Sequence, residues 1–282
     1  MLEQLIGSLE RILGNLAAFV AKFGEIVPRL PGFLQETLDN LAVFAALIPI
    51  GFVVGILVAL TQVYTRAQRR PQASGLGQAA EWGRVGILRL PWAIALAWEW
   101  FFRGVPALVL LFLFYYGLPQ LGIDISTFMA AALAMGFRSS GYQSQIFRGA
   151  IQSVSSGQTM AAQSIGMGRL QTIGTIVLPQ ALRLAIPAWS NEFSSVLKDT
   201  TLVYAIGINE VMRFARNISV MNPVLQMHTY LTVALVFWAL TSIGNLLLQS
   251  LERRLALPGF EARGTSASRR EGGAVGGKAI QP

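Results

Sequence analysis

The stretch RGAIQSVSSGQTMAAQSIGMGRLQTIGTIVLP, Arg148 to Pro179, is polar and punctuated by glycine, yet it lies between two segments apolar enough to cross a bilayer. It is therefore a connecting loop with a structure of its own. The string Ser155, Ser156, Gly157, Gln158 opens like a helix start: the Ser155 hydroxyl can accept from a free amide one turn on, while the Gln158 side chain reaches back. A helix of about ten residues follows and ends at Gly166, where glycine permits a left-handed backbone. Gly168 to Ile176 then begins a second helix at a new angle. Arg148 and Arg169, with no acid between them, make this helix, elbow, helix knob a cationic surface that no lipid tail could hold. Such a knob is built to meet a partner.

Outward from the loop, the chain has the composition of a membrane protein. Of 282 residues 53% are hydrophobic and only 13% charged, with mean hydropathy +0.52, which leaves too little polar surface for a soluble globule of this size. The absence of cysteine excludes disulfides and thiolate metal sites. The net charge of +8 is carried by dispersed arginines rather than one basic run, which suits orientation in a membrane and argues against nucleic acid. Glu3 and Glu10 precede any basic residue, the wrong polarity for a cleaved signal peptide.

The hydropathy pattern divides the chain into three. Residues 1–39 carry apolar side chains at helical spacing with acids and amides between them, an amphipathic segment that lies in the interface or packs on the protein. Residues 40–256 hold about five spans of an all-α, polytopic membrane bundle, and residues 257–282 read as a disordered cytoplasmic tail. Leu41 to Tyr64 is the first span, with Pro49, Gly51 and Gly55 permitting a bend and close helix contact. Arg66 to Arg89 has five arginines against Glu81 and is therefore a cytoplasmic loop. Leu90 to Trp98 reads as an elbow leading into one long second span that ends near Leu118. Ser126 to Phe147, Gln180 to Gly207 and Thr229 to Leu251 supply the rest, with Ile208 to His228 external and partly helical. Met1 to Asp39 has net charge −2 and Glu252 to Pro282 has +3, which puts the N-terminus outside and the C-terminus in the cytoplasm.

The spacing Ala161, Ala162, then Gly166, Ile176, Leu178 and Pro179 resembles the EAA loop of the inner-membrane subunits of ABC importers. Four runs in chain order are similar to the polar amino acid permease branch (histidine, glutamine, glutamate): FFRGVPALVLLFLFYYGLP from Phe101, GYQSQIFRGAIQSV from Gly141, the loop itself, and NEFSSVLKDTTLVYAIG from Asn191. The resemblance covers Trp98 to Leu255 and implies a type I ABC importer permease fold. It also implies partners: a cytosolic ABC ATPase dimer, a second permease chain (identical or related), an extracytoplasmic amino acid binding protein and the lipid bilayer. The coupling loop is then residues 148–180, with Met160, Ala161, Ala162, Gly166 and Arg169 facing the ATPase. Two positions depart from the pattern: Met160 stands where the Glu of EAA is expected, and Gln145 stands where an acid is usual.

Ionised groups in a bilayer must be paired or wet, so Arg138, Glu192, Lys198 and Asp199 need an account. Lys198 and Asp199 are adjacent, point different ways on a helix, and can mark a helix break that opens to a cavity. Arg138 and Glu192 can form an interhelical pair that only fixes the bundle. Alternatively, an arginine can hold the carboxylate of an α-amino acid in two prongs while a carboxylate holds its ammonium. Within the matched motifs, the expected substrate-lining residues are Arg138, Tyr142, Asn191 and Glu192. His228, the single histidine, reads as an ordinary interfacial residue because a metal site would need partners that the chain lacks. Trp82, Trp92, Trp98 and Trp100 read as an aromatic belt, and Gly136 with Gly141 as a helix contact face.

The leading expectation is a transporter subunit with no cofactor of its own. No GxxxxGK[ST] string occurs, so ATP and Mg belong to the partner ATPase. An intramembrane enzyme would need a nucleophile and base or metal ligands facing each other, and no such set is visible, so neither catalytic nor metal residues are expected. A passive channel or energy-independent carrier is the alternative; it would have no use for the cationic knob.

Overall fold

The computed structural model describes residues 2–65 and 77–255. The expected tail and the core of the arginine-rich loop lie outside the described residues. All described regular structure is helical: α1 (Leu2–Lys22), α2 (Leu30–Thr65), α3 (Gly77–Gly104), α4 (Ala107–Phe112), α5 (Leu118–Gln120), α6 (Thr127–Ser153), α7 (Ser156–Ser164), α8 (Arg169–Thr172), α9 (Leu178–Asp199), α10 (Val211–Met221) and α11 (Gln226–Leu255).

The bundle is built round α6, which packs against α2, α3, α4 and α9. Its sequence explains why. Small residues, Ala130, Ala131, Ala134, Gly136, Ser139, Ser140 and Ser144, are buried along it and let neighbouring backbones come close. On Gly51 of α2 a Cβ would stand 2.6 Å from Gln143 Nε2, and on Gly136 it would stand 2.8 Å from Ile50 Cβ. The two helices therefore touch through glycine on both sides. Gly141, expected on the same face as Gly136, instead faces α3, where a Cβ would meet Arg103 Cγ at 3.0 Å.

Two stretches of the described chain, Ile6–Thr65 and Pro223–Leu255, are long and apolar enough to cross a membrane by length and composition. A third counts if Leu90–Gly104 and Ala107–Gln120 are one broken span. The remaining helices, α6 with 27 residues and α9 with 22, reach ~40 and ~33 Å at the helical rise but carry polar inner faces. Helices of that kind face the inside of a bundle rather than lipid.

The second span corrects the sequence reading. Leu90 to Trp98 is not an elbow but part of α3, and the chain bends by 107° between Gly104 and Ala107. Pro106 is the cause: it has no N–H to continue the ladder and adopts an extended conformation (φ −57°, ψ 141°). Val105 N–H to Phe101 carbonyl, at 3.1 Å, is the last bond before the corner. Trp98 is likewise no belt residue, since its Nε1 donates to Ser140 Oγ at 2.9 Å.

At one end of the molecule, Ile26 and Phe33 pack with Val211, Ala215, Ile218, Leu225, Val233 and Phe237, joining the α1–α2 junction to α10 and α11. His228 lies beside this packing and is 3% exposed, not interfacial as expected. The Phe19 and Phe23 rings cover it at 4.2 and 5.0 Å, and its Nε2 bonds to Phe19 carbonyl at 2.8 Å.

Candidate functional site

The four residues expected to line a substrate path come from α6 and α9, and the structure brings three of them together. Arg138 and Tyr142 are one turn apart on α6, and the guanidinium lies 5.2 Å from the ring centroid. Glu192 approaches from α9 and accepts from Ser139 Oγ at 3.0 Å. Asn191, on a different face of α9, is exposed and is not in the cluster. The expected Arg138–Glu192 pair does not form. Arg138 Nη1 donates instead to Asp199 Oδ2 at 2.7 Å, about two helical turns further along α9. At that point the α-helix gives way to the tighter 3-10 turn Thr200–Ile206, the break that the adjacent Lys198 and Asp199 suggest.

The cluster continues in both directions. Gln143 Nε2 donates to Ser139 Oγ at 3.0 Å, and Trp189 Nε1 donates to Gln143 Oε1 at 2.9 Å. Arg103 of α3 stacks on Tyr142 from 5.3 Å. Opposite charges, a phenol ring and an amide thus share one polar seam between α3, α6 and α9. A zwitterion needs such a mixture.

A second polar centre is one that sequence reasoning missed. Glu99 is 3% exposed and accepts from Gln62 Nε2 at 2.7 Å, Gln145 Nε2 at 2.6 Å, Arg103 Nη1 at 3.2 Å and Arg148 Nη1 at 3.3 Å. A signal was available: Glu99 and Arg103 are spaced i, i+4, and Gln62 interrupts an apolar span. A third, also missed, is Glu210, fully buried, which caps α10 by accepting from the Met212 and Arg213 amides at 2.9 and 2.7 Å and from Asn40 Nδ2 at 3.2 Å. Burial pushes its carboxyl above the ordinary range, while those bonds pull it back.

The loop folds much as its sequence suggests. Ser155 caps α7, though its hydroxyl accepts from Gly157 N at 3.3 Å rather than from an amide a full turn on. Gln158 contributes its backbone, donating to Ser155 carbonyl at 3.0 Å, instead of the expected side-chain return. Gly166 is left-handed at φ +86°, with Met167 N bonding to Ala162 carbonyl at 3.1 Å to close the helix end. Met160 and Ala161 are exposed, as are Ile165 and Leu170, whereas Ala162 is buried. Arg169 turns back to the bundle: its Nη2 donates to Tyr64 carbonyl at 2.6 Å and its guanidinium covers the Tyr64 ring at 5.4 Å. It therefore anchors the knob to the end of α2.

Known proteins share both the loop and the bundle. Residues 100–257 match the family described as the binding-protein-dependent transport system inner membrane component. The chain belongs to that family. Members are the membrane components of importers, and ATP hydrolysis resides in a separate subunit. Among its curated relatives, the probable amino-acid permease protein YxeN of Bacillus subtilis is 42% identical over 161 residues, 56% of this chain and 71% of that protein. The probable amino-acid ABC transporter permease protein YckA, also from Bacillus subtilis, is 35% identical over 177 residues, 63% of this chain and 76% of that protein. A crystal structure of an amino acid ABC transporter with histidines matches with TM-score 0.66 and 29% identity over 82% of this chain and 97% of that one. The chain is thus an all-helical inner-membrane permease of type I importer fold, and an ATPase and a binding protein are its implied partners. Among the described residues no group of three or more His, Asp or Glu is placed to hold a metal ion.

Proposed function

We propose that this permease forms half of a path for polar amino acids, with Arg138, Tyr142 and Glu192 at its lining. The observation that carries this reading is the seam between α6 and α9, where Arg138–Asp199 and Ser139–Glu192 present both signs of charge beside the Tyr142 ring. A substrate carboxylate competes with Asp199 for Arg138, and its ammonium competes with Ser139 for Glu192. The names of the relatives, amino-acid permeases among them, support the substrate class.

The remaining parts follow the same reading. Residues 1–39 are a peripheral segment, residues 40–256 the permease domain and residues 257–282 a cytoplasmic tail. The N-terminus is outside, and two permease chains meet a cytosolic ATPase dimer through loops 148–180. Met160, Ala161 and Gly166 shape the contact surface, and Ala162 and Arg169 hold it from behind. The test is uptake of labelled glutamate, glutamine, histidine and arginine into proteoliposomes holding the whole complex. ATP-dependent uptake that needs the binding protein, and whose preference shifts in Arg138→Ala, is the expected result. Uptake without ATP would make the chain a carrier and sink the proposal.

A further inference from the structure

Between the loop and the seam, ion pairs and two cation–π contacts on the Tyr142 ring form one series. Arg148, at the head of the loop, donates to Glu99 Oε2 at 3.3 Å, and Arg103 donates to Glu99 Oε1 at 3.2 Å. Arg103 lies 5.3 Å from the Tyr142 centroid, Arg138 lies 5.2 Å from it, and Arg138 reaches Asp199 at 2.7 Å. We propose that Arg148, Glu99, Arg103, Tyr142, Arg138 and Asp199 act as a relay of positioning residues that carries loop movement to the substrate seam. This rests on the importer reading above.

The unequal burial of the members argues for a relay rather than static glue. Glu99 is 3% exposed and cannot be hydrated when a link breaks, so its charge must always find another donor. Gln62 and Gln145, at 2.7 and 2.6 Å, hold it in place from α2 and α6. The two arginines, by contrast, have side chains 32% and 34% exposed and can exchange partners with water at small cost. Glu99 is thus a fixed point with two movable arms. Its place on α3, just over a turn before the 107° corner, couples those arms to the part of the fold with the sharpest change of direction.

The experiment is ATP hydrolysis by the assembled complex in lipid, with and without the cognate binding protein saturated with a mixture of the standard amino acids. Glu99→Gln and Arg103→Met are compared with the native chain, each alone and combined with Arg138→Ala. Expected are a loss of stimulation by ~2–30-fold in both single variants, with basal hydrolysis unchanged in Glu99→Gln. The double variants should be no worse than the more affected single one, since each change breaks the same chain. A merely structural role would lower basal and stimulated rates together and leave the effects additive, and that pattern overturns the relay. Full stimulation in Arg103→Met overturns it too, and decides the matter alone if Glu99→Gln does not assemble. Absence of stimulation in the native complex would instead sink the importer reading, and the relay with it.

Discussion

Arg138 has a carboxylate partner in Asp199 and a ring partner in Tyr142, so Arg138→Ala frees a half-buried acid as well as removing a cation. Arg138→Lys keeps the charge but loses the planar fork. If the arginine holds substrate carboxylate, Lys should raise the substrate concentration for half-maximal uptake by about tenfold, roughly one lost charged hydrogen bond, with preference retained. Ala should change the preference itself, and transport assays with competing amino acids separate the two. Glu210 offers a test of stability. Its replacement by Ala removes one acceptor from the Asn40 amide, which keeps Thr200 Oγ1, and strands two backbone donors, at a cost of about 1–3 kcal/mol read from thermal denaturation of the purified chain. The pH dependence has a definite sign. Because burial raises the folded-state value, the group favours folding most below the ordinary carboxylate range and less as pH climbs from about 4 through the raised value. Glu210→Gln should flatten that slope.

Among the elements, the loop and the corner are the parts most exposed to single changes. Gly166 has φ +86°, and a Cβ added there would meet nothing within 4 Å, so Gly166→Ala brings conformational strain but no clash. It should weaken ATPase stimulation while leaving the fold's melting point within a few degrees, whereas Gly166→Pro should abolish stimulation. The corner at Pro106 is present in the sequence as RGVP, yet it reads as a smooth span because an apolar run on either side dominates a hydropathy window. The loop is legible for the opposite reason: caps and glycine turns are local, and Ser155 and Gly166 specify them within a few residues. What stays hidden is pairing across long separations. Glu99 meets Gln62 and Arg148 from 37 and 49 residues away, and Asp199 rather than Glu192 takes Arg138 because of how α9 is rotated, which periodicity alone does not fix.

At the scale of the whole molecule, Met160, Ile165 and Leu170 are exposed apolar side chains on an otherwise polar knob. Met160→Glu distinguishes two kinds of assembly. Tighter ATPase binding with transport intact, measured by co-purification and uptake, marks a tolerated variation; loss of assembly marks an apolar contact tuned to one partner. The class of fold is readable from composition and order of motifs, since a bilayer permits few architectures. The path of force through it is not. From the knob, α8 runs through the wide turn Ile173–Val177 straight into α9, whose 22 residues end at Asp199. α9 spans ~33 Å at the helical rise, so a tilt of about 5° at its knob end, carried past Pro187, would sweep the far end by ~3 Å. Such a sweep exceeds the 2.7 Å contact between Asp199 and Arg138. The bundle then works as an unequal balance, in which a slight nod at one pan is enough to lift the other clear of its stop.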